Sequence, residues 1–134
     1  MFNQDLPVDE EVPPGLTPLR EPTLFILLTL SKGRKHGYAI LKDVEALSEG
    51  RVVLSTGTLY GALARLLEQR VVRKSTDDSG GDSSGSKSRS GSADIRVRKV
   101  YELTQFGRRV LEVEIKRMST ILAMAGKELG EQGI

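Results

Sequence analysis

The chain has 134 residues, of which 38% are hydrophobic and 4% aromatic, and a formal net charge of +2. Because it contains no cysteine, it can form neither a disulfide framework nor a thiolate metal site, as is typical of proteins in a reducing cytoplasm. One histidine, without a nucleophile–base set or a Gly-rich phosphate loop, argues against an enzyme. No apolar run reaches the roughly 18 residues of a membrane-spanning helix. These features predict one cytoplasmic domain, without a cofactor or a metal.

Charge is unevenly distributed along the chain. Residues 1–19 carry four acids and no base, whereas residues 20–75 carry ten bases and five acids. Residues 76–94 sum to −2 and residues 95–134 to +3. The parts with regular hydrophobic spacing are therefore basic, as in a domain that approaches a polyanion. An ordinary mixed surface with unequal tails is the alternative interpretation.

The chain begins with polar and proline-containing sequence and then becomes strongly apolar. Residues 1–17 predict a flexible acidic arm. A first helix begins either at Thr17-Pro18 or at Pro22 and ends before Gly33. It is apolar nearly all round, so it must be covered on most of its circumference; the apolar residues are Leu24, Ile26, Leu27, Leu28 and Leu30.

Two further helices are predicted with a short connection between them. The second runs from about residue 37 to residue 47, with Gly50 at its C′ position. Ser55 is the expected N-cap of the third. The connection, residues 49–54, is slightly long for a minimal helix-turn-helix, which predicts that motif in a loosened form. The inward faces are Ile40, Leu41, Val44 and Leu47, then Leu59, Leu63, Leu66 and Leu67.

The remaining sequence predicts a hairpin and a long helix. Val71-Val72 and residues 97–103 read as strands, and the Ser/Gly/Asp-rich residues 75–95 between them predict a disordered tip. Thr104 is the expected N-cap of a helix that ends near residue 129. Its apolar residues repeat at alternating spacings of four and three, which favours an interface between two copies over an internal core. They are Leu111, Ile115, Met118, Leu122, Ala125 and Leu129.

Three helices, a two-stranded wing and a long last helix describe a winged helix-turn-helix, a mainly α fold with a small β-hairpin (α+β). Three stretches carry a resemblance to the PadR family of transcriptional regulators, in its short form with a single C-terminal helix. They are His36-Gly37-Tyr38 with Ile40, Gly57-Thr58-Leu59-Tyr60 with Leu63 and Leu66, and Tyr101-Glu102-Leu103-Thr104 with Gly107. Two positions depart from the family pattern, because Gly61 replaces a usual proline and Arg70 a common glycine.

The resemblance implies a division of the chain into three parts. Residues 1–17 would be the flexible arm, and residues 104–134 the dimerisation helix. Residues 18–103 would form a winged helix-turn-helix DNA-binding domain, with residues 75–95 as its long disordered wing tip. The tip is longer than the usual family loop.

Hydroxyls at the start of the third helix are the first candidate DNA contacts. The free N–H groups and the helix dipole favour a phosphate there, and Ser55, Thr56, Thr58 and Tyr60 can add hydrogen bonds to it. Capping alone explains Ser55 or Thr56 in part. The resemblance implies that Thr58 and Tyr60 contact DNA. Arg65, two turns on, is the candidate for a guanine edge, although it could be an ordinary solvated arginine.

Further candidates lie before the second helix and on the second strand. Lys35, with Lys32, Arg34 and Lys42, forms a basic patch beside the third helix. His36 lacks the partners of a metal or general-base site, and the resemblance places it in the turn before Tyr38, which would pack under the third helix or touch phosphate. Arg96 and Arg98 alternate onto one face of their strand and could hold the minor groove or the backbone.

The resemblance implies a dimeric, sequence-specific regulator of transcription, acting as a repressor on double-stranded DNA. A symmetric dimer would place its third helices at half-sites about 34–36 Å apart in a pseudo-palindromic operator. The sequence identifies no effector, small molecule or protein, and without Trp it offers no stacking platform for an aromatic one. The alternative function is an interaction adaptor that does not bind DNA. Leu24 and Leu28 join the six stripe residues as predicted interface positions.

Overall fold

The computed structural model describes residues 12–76 and 99–130, which form four α-helices and one antiparallel sheet. A 3-10 turn at Pro14–Leu16 precedes them. The mainly α, α+β winged-helix class is confirmed. In chain order the elements are α1 (Glu21–Leu30), β1 (Lys35–His36), α2 (Gly37–Leu47), α3 (Thr56–Glu68), β2 (Val72–Thr76), β3 (Lys99–Leu103) and α4 (Gln105–Glu128).

The sheet has three strands in the order β1-β3-β2. The β2–β3 pairing confirms the predicted hairpin, with Lys74 opposite Tyr101 and Thr76 opposite Lys99. The two-residue β1, which was not predicted, pairs Lys35 with Tyr101 on the other side of β3. The predicted strand start at residues 97–98 and most of the wing tip lie outside the described residues.

Helix α1 forms the centre of the core. It begins at Glu21 with Pro22 in its first turn, so the second of the two predicted starts is confirmed. Ile26 and Leu27 have no exposed surface, as expected of a helix that is apolar nearly all round. α2, α4 and β3 all pack on it.

The turn that follows α2 and the turn that follows α3 each contain a residue other than glycine with positive φ. After α2 this residue is Glu49, with φ 57°, and Gly50 follows it; the prediction of Gly50 at C′ was therefore wrong by one position. After α3 it is Arg70, with φ 65°, so the turn where the family commonly has glycine is kept. In both turns two backbone N–H groups bond the last carbonyls of the helix.

Leu47, predicted to face inward, is 43% exposed. It is the last residue of α2, and the residue after it, Ser48, is buried instead, one turn after the buried Val44. The helical spacing therefore predicts an inward position for Leu47 that the described elements do not fully cover.

Residues 12–20, here called the N-terminal strap, lie against the rest of the domain. Val12, Leu16 and Leu19 pack against the core, and the Leu19 N–H donates to Glu114 Oε2 at 3.1 Å. The arm predicted over residues 1–17 therefore includes apolar side chains, from Val12 onward, that pack on residues distant in sequence, and its flexibility stays a prediction. Residues 1–11 lie outside the described residues.

Helix α4 has two halves with different surroundings. Its N-cap is Thr104, as predicted, whose side chain accepts from the Gly107 N–H at 2.8 Å. Val110, Leu111 and Glu114 are buried against the rest of the chain. From Ile115 onward the large apolar residues are exposed, so the second half projects from the domain without cover from the described residues.

Candidate nucleic-acid interface

The start of α3 presents hydroxyl groups on the surface. Ser55 is the N-cap, and its Oγ accepts from the Thr58 N–H at 3.1 Å. The same hydroxyl donates to Thr58 Oγ1 at 2.9 Å, which leaves the Thr58 proton available to a further acceptor. Ser55, Thr56 and Thr58 are all exposed. Capping accounts for Ser55. Among the described residues, the Thr58 hydroxyl bonds only Ser55, and the Thr56 side chain forms no hydrogen bond.

Tyr60 joins α3 to the start of α2 and to β3. Its hydroxyl lies against the Cα of Gly37, where a Cβ would overlap it. Its ring centroid is 6.4 Å from that of Tyr101, at a 59° tilt. Burial raises the pKa of the Tyr101 hydroxyl, and the neighbouring Tyr60 raises it further. Tyr60 is nevertheless 43% exposed, so it holds the helices together and still reaches the surface.

The exposed side of α2 adds an aromatic ring and a cation next to this helix end. Tyr38 is 68% exposed, and Lys42 Nζ lies 5.7 Å from the centre of its ring, within cation–π range. Both belong to the first two turns of α2. Because α2 starts against Tyr60, these groups continue the hydroxyl-bearing surface.

Two predicted site residues, Lys35 and His36, form β1, and each has a structural partner in another element. Lys35 Nζ lies 3.0 Å from Asp43 Oδ2 on α2, so part of its charge is already neutralised. His36 pairs with Val100 in the sheet and is the N-cap residue of α2. Both side chains are half-buried. Their geometry fixes the start of α2 under the candidate surface.

Basic side chains of the sheet are only partly described. Arg96 and Arg98 lie outside the described residues. Lys74, which was not predicted as a site residue, is exposed and stands opposite Tyr101 in the register. Cross-strand partners share a face of the sheet, so Lys35, Tyr101 and Lys74 form one row. Only the strand register reveals this row, because the three residues are far apart in sequence.

The outer face of α3 is smooth in the middle and polar at its flank. Helical periodicity puts Gly57, Gly61 and Ala64 opposite the buried Leu59 and Leu66. A Cβ at either glycine would meet open space. On the flank shared with Thr58 lies the exposed Arg65, which also lines a cleft next to the strap. The prediction that Arg65 is on an outward surface of α3 agrees with this position.

Two kinds of feature are absent from the described residues. These residues contain no group of three or more His, Cys, Asp or Glu side chains placed to hold a metal ion. None of their helices combines the length and apolarity needed to cross a membrane.

Comparison with known families identifies the chain. The family model described as the transcriptional regulator PadR-like family matches residues 26–113, which include α2, α3, the described strands and the first half of α4. The chain belongs to the PadR-like family. The resemblance recognised in the sequence is confirmed, and membership makes the chain a transcriptional regulator rather than an enzyme.

Solved PadR-like structures share its fold. A PadR family transcription regulator from Clostridium difficile is 23% identical, with a TM-score of 0.61 over 82% of this chain and 99% of that chain. A second, from Eggerthella lenta, is 25% identical, with a TM-score of 0.56 over 81% and 84%. Bacillus subtilis PadR, solved in complex with operator DNA, is 20% identical, with a TM-score of 0.55 over 72% of this chain and 47% of that one.

One curated relative is similar over a shorter stretch. It is an uncharacterized 37.1 kDa protein in a transposon of Streptomyces fradiae, 46% identical over 50 residues. The match spans 37% of this chain and 14% of that relative.

Proposed function

We propose that this PadR-like regulator binds double-stranded DNA as a homodimer and represses transcription from a pseudo-palindromic operator. The observation that carries the proposal is the exposed, hydroxyl-bearing start of α3 beside Tyr38 and Lys42. The hydroxyl groups can donate hydrogen bonds to phosphate oxygens, and the Lys42 ammonium group places a positive charge near them.

The start of α3 suits a phosphate for two reasons. Its first N–H groups and its dipole place partial positive charge there. The Thr58 hydroxyl, which already accepts from Ser55, can direct its own proton to a phosphate oxygen. These contacts would fix the register of the helix on DNA without reading bases.

The middle of α3 suits close approach to base edges. With only small side chains at Gly57, Gly61 and Ala64, the helix backbone can lie deep in a major groove, which is wide enough for one helix. Arg65 on the adjoining flank supplies the guanidinium that pairs with guanine. Bacillus subtilis PadR, which has the same fold, was solved in complex with operator DNA, and this supports DNA as the partner.

The second half of α4 supports the homodimer. Ile115 is 45% exposed and Leu122 55%, and contiguous exposed apolar residues of this size mark interaction surfaces. Met118 and Leu129 continue the stripe, and Ala125 and Leu28 are half-buried. Leu24 and Leu111, also predicted at the interface, are buried in the core of one chain, so they have little surface left for a partner.

The experiment measures affinity for the DNA upstream of the chain's own gene by fluorescence anisotropy. A regulator that neutralises six to ten phosphates should lose about 10³–10⁵ in affinity between 50 and 200 mM salt. Thr58→Ala combined with Tyr60→Phe should weaken binding about tenfold to a hundredfold, since it removes two hydrogen bonds to charged groups. Thr120→Ala, on the polar side of α4, is the matched control and should bind like the wild type.

The outcome separates the proposal from its alternative. Absent binding, or binding that salt does not change, would favour an interaction adaptor that uses the exposed face of α4. Unchanged affinity in the double variant, with the usual salt dependence, would contradict the site at α3 but leave DNA binding in place.

A further inference from the structure

A cleft of about 420 Å³ lies between the N-terminal strap and the second half of α3. The strap and the first turn of α1 form one wall, and one side of α3 forms the other. The volume lies within the range of small-molecule sites, about 300–1,000 Å³. No part of the DNA surface described above needs such a cavity, because a duplex rests on protruding groups and cannot fill a recess.

Both walls of the cleft carry an arginine. Arg20 comes from the strap wall and Arg65 from α3, and none of the described residues that line the cleft is acidic. Neither arginine forms an ion pair with a described residue, whereas Arg51, Arg73 and Arg117 each hold a carboxylate. Two guanidinium groups at one recess are a site for an anion, since each presents a fork of donors that matches a carboxylate or a phosphate.

The rest of the lining is mostly polar and has a smaller apolar part, which suits an organic anion with a short aliphatic part. Leu16, Leu19 and Leu66 supply apolar surface, and the described lining contains no aromatic ring. Thr23 and Gln69 add hydrogen-bonding groups at the same cleft. A bare inorganic ion would leave the leucine side of the cleft unfilled.

The strap wall is held in place from behind. The Leu19 N–H donates to Glu114 Oε2 at 3.1 Å. Arg117 in turn holds the Glu114 carboxylate through two bonds, of 2.9 and 2.7 Å. Because Glu114 is 1% exposed, this clamp keeps Arg20 and Leu19 at a defined distance from α3, so the cleft is formed before any ligand arrives.

We propose that this cleft binds a small amphipathic anion, a carboxylate or phosphate with an aliphatic chain, between Arg20 and Arg65. On the proposed function, on which this step rests, Arg65 also contacts DNA. An anion that holds the guanidinium in the cleft withdraws it from the groove, so the ligand and the operator compete for one side chain. The cleft is then the effector site of the regulator.

The first test uses the full chain without DNA. Octanoate and octyl phosphate are titrated by calorimetry, with octanamide as the neutral control and inorganic phosphate as the control without a chain. We expect at least one of the two anions to bind, octanamide and inorganic phosphate to bind at least about tenfold more weakly, and Arg20→Ala or Arg65→Ala to weaken the anion about tenfold or more. Arg34→Ala, an exposed arginine outside the cleft, should bind as the wild type does. Absence of binding by both anions, or equal binding by the variants, would overturn the proposal.

The second test adds the upstream DNA. The anion should weaken DNA binding by the wild type, and Arg20→Ala should bind DNA normally but no longer respond to the anion. If Arg20→Ala alone lowers DNA affinity and binds no less anion than the wild type, Arg20 is a DNA phosphate contact and the effector site is wrong. If the wild type binds no DNA at all, the proposed function fails, while the first test still decides whether the cleft holds an anion.

Discussion

Gly107 and Gly61 are both glycines within helices, yet their surroundings differ. A Cβ at Gly107 would overlap the carbonyl oxygen of Val71, a backbone atom. That carbonyl also accepts from the Thr104 N–H at 3.0 Å, so it cannot move aside without loss of a bond at the start of α4. A Cβ at Gly61 would meet nothing within 4 Å.

The same substitution should therefore have opposite effects at the two positions. Gly107→Ala should lower the free energy of unfolding by about 1–3 kcal/mol, the usual cost of forcing an extra carbon into a packed site. Gly61→Ala should raise it by about 0.8–1.0 kcal/mol, because alanine favours the helix and meets no obstacle. Urea denaturation of the two variants measures both values. A gain of stability in Gly107→Ala would contradict the packing at Val71, and a loss in Gly61→Ala would contradict the open space there.

Glu114 on α4 is the only acidic residue that is buried in the described part of the chain. The paired bonds from Arg117 lower the pKa of Glu114, the bond from the Leu19 N–H lowers it further, and burial opposes both. Because the pKa in the folded state lies below the ordinary value of about 4.3, the ionised carboxylate stabilises the fold above that value. This stability is lost as the pH falls through the lower pKa of the folded state.

Glu114→Gln should remove the contribution of this carboxylate to the pH dependence of the free energy of unfolding. At pH 7 the variant should be less stable than the wild type by about 1–3 kcal/mol, since it weakens the charged bonds to Arg117 and Leu19. The difference should shrink as the pH falls below about 4.3. Thermal unfolding from pH 7 to pH 3 measures it. Glu112→Gln, on the exposed side of the same helix, is the control and should change stability little; an equal loss there would contradict the assignment to the clamp.

The elements differ in how well their sequences predicted them. Periodic apolar residues and local caps located α2, α3 and α4, because both signals arise within one helix; Ser55 and Thr104 cap as expected. The two-residue β1 carries no such signal, and only β3, more than sixty residues later, makes it a strand. The contact of the strap with Glu114 could not be predicted, because Glu114 is 95 positions from Leu19.

The same distinction applies to the site across the whole molecule. The hydroxyls of α3 could be predicted, because capping chemistry is local. Three other features could not be predicted from the sequence: the contact of Tyr60 with Gly37, the ion pair of Lys35 with Asp43 and the recess at Arg65. The first and third join residues distant in sequence, and the second depends on β1, which the sequence did not predict. Sequence therefore predicts the candidate surface, while the structure shows which of its residues also hold the fold together.

The exposed face of α4 supports the proposed dimer. Its second half carries Ile115, Met118, Leu122 and Leu129, all more than 40% exposed. A single domain gains nothing from a helix that projects these side chains into water. A second copy related by two-fold symmetry would cover both helices at once, because the same patch meets itself.

Leu122→Asp should therefore dissociate the dimer. The symmetric interface would contain the new charge twice, and an unpaired buried charge costs several kcal/mol, so the dissociation constant should rise at least about a hundredfold. Sedimentation equilibrium measures it. Thr120→Asp introduces the same charge on the polar side of α4 and should leave the dimer intact. If the wild type sediments as a monomer, the interface is wrong. If Leu122→Asp is monomeric yet binds DNA as tightly as the wild type, one copy of α3 suffices and the pseudo-palindromic operator is wrong.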